Sequence, residues 1–139
     1  MLGVHGIKGH GARWRRIVEA SLYDFSVIAP DLRGHGRSDH IPPWNTEAHV
    51  ADLIAVLDAR NLDRVHLLAH SFGGLIALRL AHAAPECVGR IVMLDPSVSL
   101  PAGHMQDQAR RSLSSGFFAD LEQACAERRL AWPAAPPRP

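Results

Sequence analysis

Cysteine, lysine and long apolar runs are scarce in this chain, and each scarcity excludes a class of protein. Cys87 and Cys125 are the only cysteines, and their spacing fits neither a zinc site nor a disulfide framework. Lys8 is the only lysine, and the net charge is +1. Such a small charge gives no strong electrostatic attraction to nucleic acid or to an anionic membrane. No apolar run reaches the roughly 18 residues of a membrane span, and no leader-like segment opens the chain. We therefore expect a cytoplasmic protein with reduced thiols.

Four short apolar runs have the length and the β-branched content of buried strands. They are LGVH (2–5), FSVIAP (25–30), VHLLA (65–69) and RIVML (90–94). They do not alternate strictly, which is typical of parallel strands that are covered on both faces. Helical periods lie between the runs, the second beginning at Asn45 or Thr46 and the third ending before Pro85. This order predicts an α/β fold, with a mostly parallel sheet of about four strands flanked by helices.

The stretch AHSFGG (69–74) places a serine between an apolar run and a helical run. A serine at a strand-to-helix junction is the context of a nucleophile elbow, whose usual pattern is G-x-S-x-G. Gly73 provides the second glycine of this pattern, but Ala69 stands in place of the first. Ser71 could equally be a helix N-cap. The turn alone does not decide between these two roles.

Three other motifs surround this turn in a fixed order: VHGIKGHGARW near the start, VIAPDLRGHGRSD after the second run, and RIVMLDPS after the third helix. With these motifs, residues 1–100 resemble the α/β-hydrolase superfamily, in particular its actinobacterial esterase and lipase-like members. The resemblance implies a partial α/β-hydrolase core at 1–100. Residues 101–139 would then be the start of the variable cap, followed by an irregular proline-rich tail.

The resemblance also implies roles for individual residues. Ser71 would be the nucleophile, and the backbone N–H groups of Ile7 and Phe72 would form the oxyanion hole. Asp95, at the end of the fourth run, holds a position that a minority of the family uses for the catalytic acid. Its alternative role is to cap the turn before Pro96.

Three further residues are expected to line the substrate site, namely His5, Gly6 and His70. His5 would mainly order the oxyanion loop. The family needs no cofactor and no metal. Neither G-x-G-x-x-G nor a P-loop pattern is complete in this sequence, so we expect no nucleotide cofactor either.

The catalytic histidine is the missing part of the pattern. The family order is serine, acid, histidine, and His104 is the only histidine after Asp95. We therefore expect a fragment that lacks the first strands and the C-terminal part that carries the base. The family's strand order places the four runs as second, first, third and fourth. Both outer runs would then expose an edge through which copies could associate.

The expected function is a serine hydrolase that cleaves small-molecule carboxylic esters through an acyl-enzyme at Ser71. One alternative is an inactive truncated product or a non-catalytic binding scaffold that kept the pocket. Another is a different chemistry on the same elbow, such as that of a cofactor-free haloperoxidase or a carbon–carbon bond hydrolase. Without a base, the chain is expected to turn over esters poorly.

Overall fold

The structure is a computed structural model that describes residues 1–99, 101, 103, 106, 107, 110 and 118–131. The chain divides into two compact units, Met1–Ser99 and Leu100–Pro139. The first unit contains the sheet and the helices that flank it. The interpretation of 101–139 as a cap and an irregular tail lies mostly outside the described residues and stays a prediction.

A parallel sheet organises the first unit. Its strands are β1 (Leu2–Val4), β2 (Val65–His70) and β3 (Val88–Leu94), in the order β1-β2-β3. Both pairs are parallel, with Ala69 in the middle strand in register with Val4 on one side and Met93 on the other. A parallel sheet flanked by helices confirms the predicted α/β fold class.

The predicted strand at 25–30 is wrong as a strand, because only Ile28 pairs, through one parallel bridge to Leu2. The Ile28 N–H donates to the Met1 carbonyl at 2.9 Å, and its carbonyl accepts from the Gly3 N–H at 2.7 Å. The next donor in a parallel ladder would be residue 30, which is proline and has no N–H. The described sheet therefore has three strands rather than four. The segment nevertheless lies beside β1, as the family's strand order predicts.

The helices follow the predicted periods. Asn45 is the N-cap of the second helix, where its side chain accepts a hydrogen bond from the Ala48 N–H at 2.9 Å. The helices are α1 (Arg15–Ser21, after a 3₁₀ turn at Gly11–Trp14), α2 (Thr46–Ala59), α3 (Phe72–Ala83) and α4 (Leu121–Ala131). No helix in the described ranges is both long enough and apolar enough to cross a membrane.

The core of the first unit lies around β1, β2 and the inner faces of α2 and α3. Its largest fully buried apolar side chains are Leu2, Val4, Leu53, Leu57, Leu67, Ile76 and Leu80. Strand β3 differs at its carboxyl end, where Val92, Met93 and Leu94 are 49%, 38% and 38% exposed. Successive strand residues point to opposite faces, so both faces of β3 are open at this end.

Candidate active site

The sequence is compatible with two roles for Ser71, a nucleophile elbow and a helix N-cap. The backbone geometry of Ser71 bears on this choice. An N-cap residue has extended φ and ψ, and its side chain accepts a hydrogen bond from the first helical turn. Ser71 has φ 51° and ψ −122°, and its side chain makes no capping hydrogen bond to α3. A residue other than glycine held in such a region costs about 1–3 kcal/mol. The serine is therefore in a strained turn, which is compatible with a nucleophile elbow, and its side chain does not cap the helix.

Two glycines allow the loop after β1 to lie directly against this turn. A Cβ atom on Gly73 would collide with the Val4 carbonyl oxygen and lie 2.7 Å from the His5 carbonyl oxygen. A Cβ atom on Gly6 would lie 2.9 Å from the Cβ of Ser71. The methyl group of Ala69 is accommodated inside the sheet, where it is fully buried. The turn at Ser71 therefore needs glycine at position 73 but accommodates alanine at position 69.

The loop after β1 forms a tight turn next to the serine. The Gly9 N–H donates to the Gly6 carbonyl at 2.9 Å, and Lys8 adopts a positive φ of 59°. Within the described part of the chain, the Ile7 N–H has no hydrogen-bond acceptor. Phe72 is the first residue of α3, and the N–H groups of a first helical turn have no acceptor within the helix. Two backbone donors therefore come directly after Gly6 and Ser71, two residues that lie close to each other.

The side chain of His5 is buried and holds this turn in place. Its Nε2 accepts from the Leu32 N–H at 2.9 Å, and its Nδ1 is 2.8 Å from the Gly6 carbonyl oxygen. An N–H group can only donate, so Nε2 carries no proton and Nδ1–H donates to Gly6. Burial lowers the pKa of His5, which favours this neutral form. Both ring nitrogens are occupied within the protein, so His5 orders the turn and is not free to act as a base.

The hydroxyl of Ser71 has one side-chain partner among the described residues, and it is a serine. Ser71 Oγ and Ser97 Oγ are 3.0 Å apart. No histidine of the described ranges hydrogen-bonds to Ser71. The ring of His70 lies beside the turn, because its Nδ1 would be 3.1 Å from a Cβ on Gly6. His104 lies outside the described residues.

Ser97 is the residue that the sequence analysis missed. It lies 26 positions from Ser71, in the segment that follows β3. The available signal was its place just beyond the carboxyl end of a strand adjacent to β2, where open α/β sheets collect their site residues. The RIVMLDPS motif marked this segment, but not which of its side chains faces the elbow.

Asp95 follows the last residue of β3, with a positive φ of 44°. Its side chain is exposed. Across the described ranges its carboxylate makes no hydrogen bond and no ion pair, so it caps no turn there and orients no histidine. Its assignment as the acid stays a prediction.

The PDLRGHGRSD loop is a separate region held by its own hydrogen bonds. The Asp31 carboxylate accepts from the backbone N–H groups of Arg37 at 2.9 Å and Gly11 at 2.6 Å, and these bonds lower its pKa. Arg33 makes a two-pronged ion pair with Asp52, at 2.7 and 2.8 Å. Two surface cavities of about 430 and 550 Å³ adjoin this loop, and neither is lined by the Ser71 turn. No group of metal-binding side chains occurs in the described part of the chain.

Known proteins are similar to this chain in sequence and in fold. The family described as alpha/beta hydrolase fold matches residues 1–128. Lipase LipV of Mycobacterium tuberculosis is 38% identical over 133 residues, which are 95% of this chain and 51% of the lipase. The crystal structure of a hydrolase from Pseudomonas aeruginosa is similar with a TM-score of 0.75 at 26% identity, covering 94% of this chain and 49% of that one. A thermophilic esterase from Thermogutta terrifontis has a TM-score of 0.71 at 28% identity, covering 79% and 41%.

These similarities extend over nearly the whole of this chain but over only part of its relatives. The chain spans about half the length of the curated relatives it matches. The family match includes the loop after β1, the Ser71 turn and the segment after β3. The resemblance inferred from the motifs is confirmed, and this chain belongs to the alpha/beta hydrolase fold family.

Proposed function

We propose that this chain is a serine hydrolase acting on carboxylic esters, with Ser71 as its nucleophile. The observation that carries the proposal is the strained backbone of Ser71 at the junction of β2 and α3. A strained turn of this kind lifts a hydroxyl clear of the sheet. Its stabilisation by the surrounding packing is the usual mark of a functional position.

The proposed reaction proceeds through an acyl-enzyme. Ser71 Oγ attacks the ester carbonyl carbon while its proton passes to a general base. The N–H groups of Ile7 and Phe72 donate hydrogen bonds to the oxygen that becomes negative. The carbon–oxygen bond to the alcohol then breaks, the alcohol leaves with the proton from the base, and the acyl group stays on Ser71. Water then attacks the acyl carbonyl carbon while its proton passes to the base. The bond to Ser71 Oγ breaks, the proton returns to Ser71, and the carboxylic acid leaves.

Asp95 is the proposed acid that would orient the base. It follows β3 as Ser71 follows β2, and adjacent parallel strands bring their carboxyl ends to the same edge of the sheet. The base is assigned to no described histidine, because none of them hydrogen-bonds to Ser71. His5 is excluded from this role by its two hydrogen bonds.

Small-molecule esters are the proposed substrates, since one relative is called a lipase and a structural neighbour an esterase. Gly6 and His70 are proposed to line the site beside Ser71. His5 would contribute to substrate binding indirectly, through the turn that it holds. Ile7, whose side chain is 52% exposed, would offer an apolar surface next to the oxyanion donors.

A fluorophosphonate probe tests the nucleophile directly, because it forms a covalent bond with an activated serine hydroxyl. We expect peptide mapping to find the label on Ser71, and the Ser71→Ala variant to remain unlabelled. Ser99→Ala is the matched control, because it removes a hydroxyl from the same region without touching the elbow. Labelling that persists in Ser71→Ala would refute the assignment, and an unlabelled parent chain would favour a non-catalytic scaffold.

A further inference from the structure

The end of β3 and the segment after it bind both backbone polar groups of Ser71. The Ser71 N–H donates to the Leu94 carbonyl at 3.1 Å, and the Ser71 carbonyl accepts from the Ser97 N–H at 3.0 Å. These bonds extend the contact between β2 and β3 past His70, the last residue of β2. A strained backbone persists only where its surroundings hold it. The segment from Leu94 to Ser97 is part of what holds the elbow in shape.

Packing against α3 fixes where this segment lies. A Cβ atom on Gly74 would be 2.7 Å from the Cβ of Pro96. The Gly74 N–H also donates to the Ser71 carbonyl at 2.8 Å, so that one oxygen accepts from both Gly74 and Ser97. The first turn of α3 and the segment after β3 therefore meet at Ser71.

The side chain of Ser97 lies at the nucleophile itself. Ser71 Oγ and Ser97 Oγ are 3.0 Å apart, and both residues are partly buried. A free serine side chain populates three rotamers, whereas a hydrogen bond to a fixed neighbour favours one of them. A hydroxyl donates one hydrogen bond and accepts two. If Ser97 donates, Ser71 keeps its own proton available for a base.

We propose that Ser97 is a positioning residue, whose hydroxyl holds the Ser71 hydroxyl in one rotamer and donates to it as its proton leaves. This inference rests on the proposed function, because it assigns Ser97 a part in the reactivity of Ser71. Ser97 would act through its hydrogen bond to Ser71 and not through the ester itself. A hydrogen bond donated by the Ser97 hydroxyl to Ser71 Oγ fits the reaction, because Ser71 must release its own proton to a base.

Labelling kinetics with a fluorophosphonate separate binding of the probe from reaction with the serine. Ser97→Ala should lower the limiting labelling rate about 3- to 10-fold, the factor that one lost hydrogen bond gives. The probe concentration at half-maximal rate should stay unchanged. Ser97→Thr keeps a hydroxyl and should retain most of the rate, and Ser99→Ala should match the parent. If Ser97→Ala does not fold, Ser97→Cys offers a weaker hydrogen-bonding group of similar shape.

Crystal structures of the parent and Ser97→Ala give a second readout that does not depend on reactivity. We expect the Ser71 hydroxyl in one position in the parent and in a different or divided position in the variant. An unchanged position of Ser71 Oγ together with an unchanged labelling rate would overturn the proposal. If the probe labels no form of the protein, the proposed function fails, while the position of Ser71 Oγ still decides the role of Ser97.

Discussion

At the scale of single residues, His49 on α2 is the second buried histidine of the first unit, and its situation differs from that of His5. Its side chain is 3% exposed, and within the described part of the chain its Nδ1 has no hydrogen-bond partner. Its ring contacts the Phe72 ring edge-on, with 5.3 Å between the ring centres. Burial lowers the pKa of His49, which favours the neutral form of the ring against the Phe72 side chain.

Replacing this histidine should change how stability depends on pH. His5 and His49 have lowered pKa values in the fold, so the unfolded chain binds more protons below about pH 7. The free energy of unfolding should therefore fall as the pH is lowered from about 7.5 to 5.5. His49→Leu removes one of these groups and should flatten this dependence. The substitution should also raise the free energy of unfolding by about 1 kcal/mol, because it removes a buried nitrogen that has no hydrogen-bond partner among the described residues.

Urea unfolding of the parent and the variant at both pH values checks this prediction. His40→Gln, at an exposed position, is the control and should leave the pH dependence unchanged. A pH dependence in His49→Leu as steep as in the parent would contradict the account of His49.

The sequence predicts some site residues much better than others, for a physical reason. Ser71 and Gly73 are recognisable because a strand, a sharp turn and a helix are consecutive in the chain, so the pattern is local. Ser97 meets Ser71 only through the register of β2 with β3, and no local pattern encodes that register. The role of Asp95 depends in the same way on contacts distant in sequence, and it stays a prediction.

At the scale of elements, the contact between α3 and the end of β1 depends on Gly73. The atoms that a Cβ would meet there are the carbonyl oxygens of Val4 and His5, and backbone atoms cannot rotate away as a side chain can. Overpacking of this kind typically costs about 1–3 kcal/mol. Gly73→Ala should therefore destabilise the protein by about 3 kcal/mol, at the upper end of that range.

Gly103 provides the control, because a Cβ added there meets no atom within 4 Å. Urea unfolding should give Gly103→Ala the stability of the parent. If Gly73→Ala were equally stable, the close approach of α3 to β1 would not be required for the fold.

The sheet itself shows where prediction from apolar runs fails. The run at 25–30 is as apolar as the true strands, but its ladder stops after Ile28 because Pro30 cannot donate. Apolar content predicts burial, whereas strand formation also needs a donor at every second position. The parallel direction follows from the alternation of runs and helices, whereas the order β1-β2-β3 was implied by the resemblance to the α/β-hydrolase superfamily.

The open end of β3 leads to a prediction about association. Val92 is 49% exposed on an edge strand, and unprotected apolar edges pair with other chains. We expect the parent chain to self-associate as its concentration rises, with the β3 edge of one copy pairing with the β3 edge of a second copy. Val92→Lys should reduce the association, because charged side chains protect edges.

Sedimentation velocity over a range of concentrations measures this association. Ile17→Lys is the matched control, since Ile17 is 38% exposed on α1 and receives the same charge away from the sheet. A parent chain that stays monomeric throughout, or equal effects of the two variants, would rule out the β3 edge as the interface.

At the scale of the whole molecule, the unit Met1–Ser99 contains the proposed nucleophile Ser71, the proposed oxyanion donors Ile7 and Phe72, Ser97 and Asp95. None of its histidines hydrogen-bonds to Ser71. Losing the base of a catalytic triad typically slows the reaction about 10⁴- to 10⁶-fold, and water needs that base as much as serine does. Residues 1–139 should therefore hydrolyse a short-chain p-nitrophenyl ester little faster than the Ser71→Ala variant. A reactive ester in excess should still acylate Ser71 slowly, because its good leaving group partly makes up for the missing base, and the acyl group should leave Ser71 more slowly still, because the serine alkoxide is a poor leaving group.

Intact mass spectrometry after incubation with p-nitrophenyl acetate tests this central claim most directly. The parent chain should gain the mass of one acetyl group, peptide mapping should place it on Ser71, and Ser71→Ala should gain none at that position. An acetyl group found only on other residues, such as Lys8 or the N-terminus, and equally in both proteins, would contradict the account of Ser71 as the nucleophile.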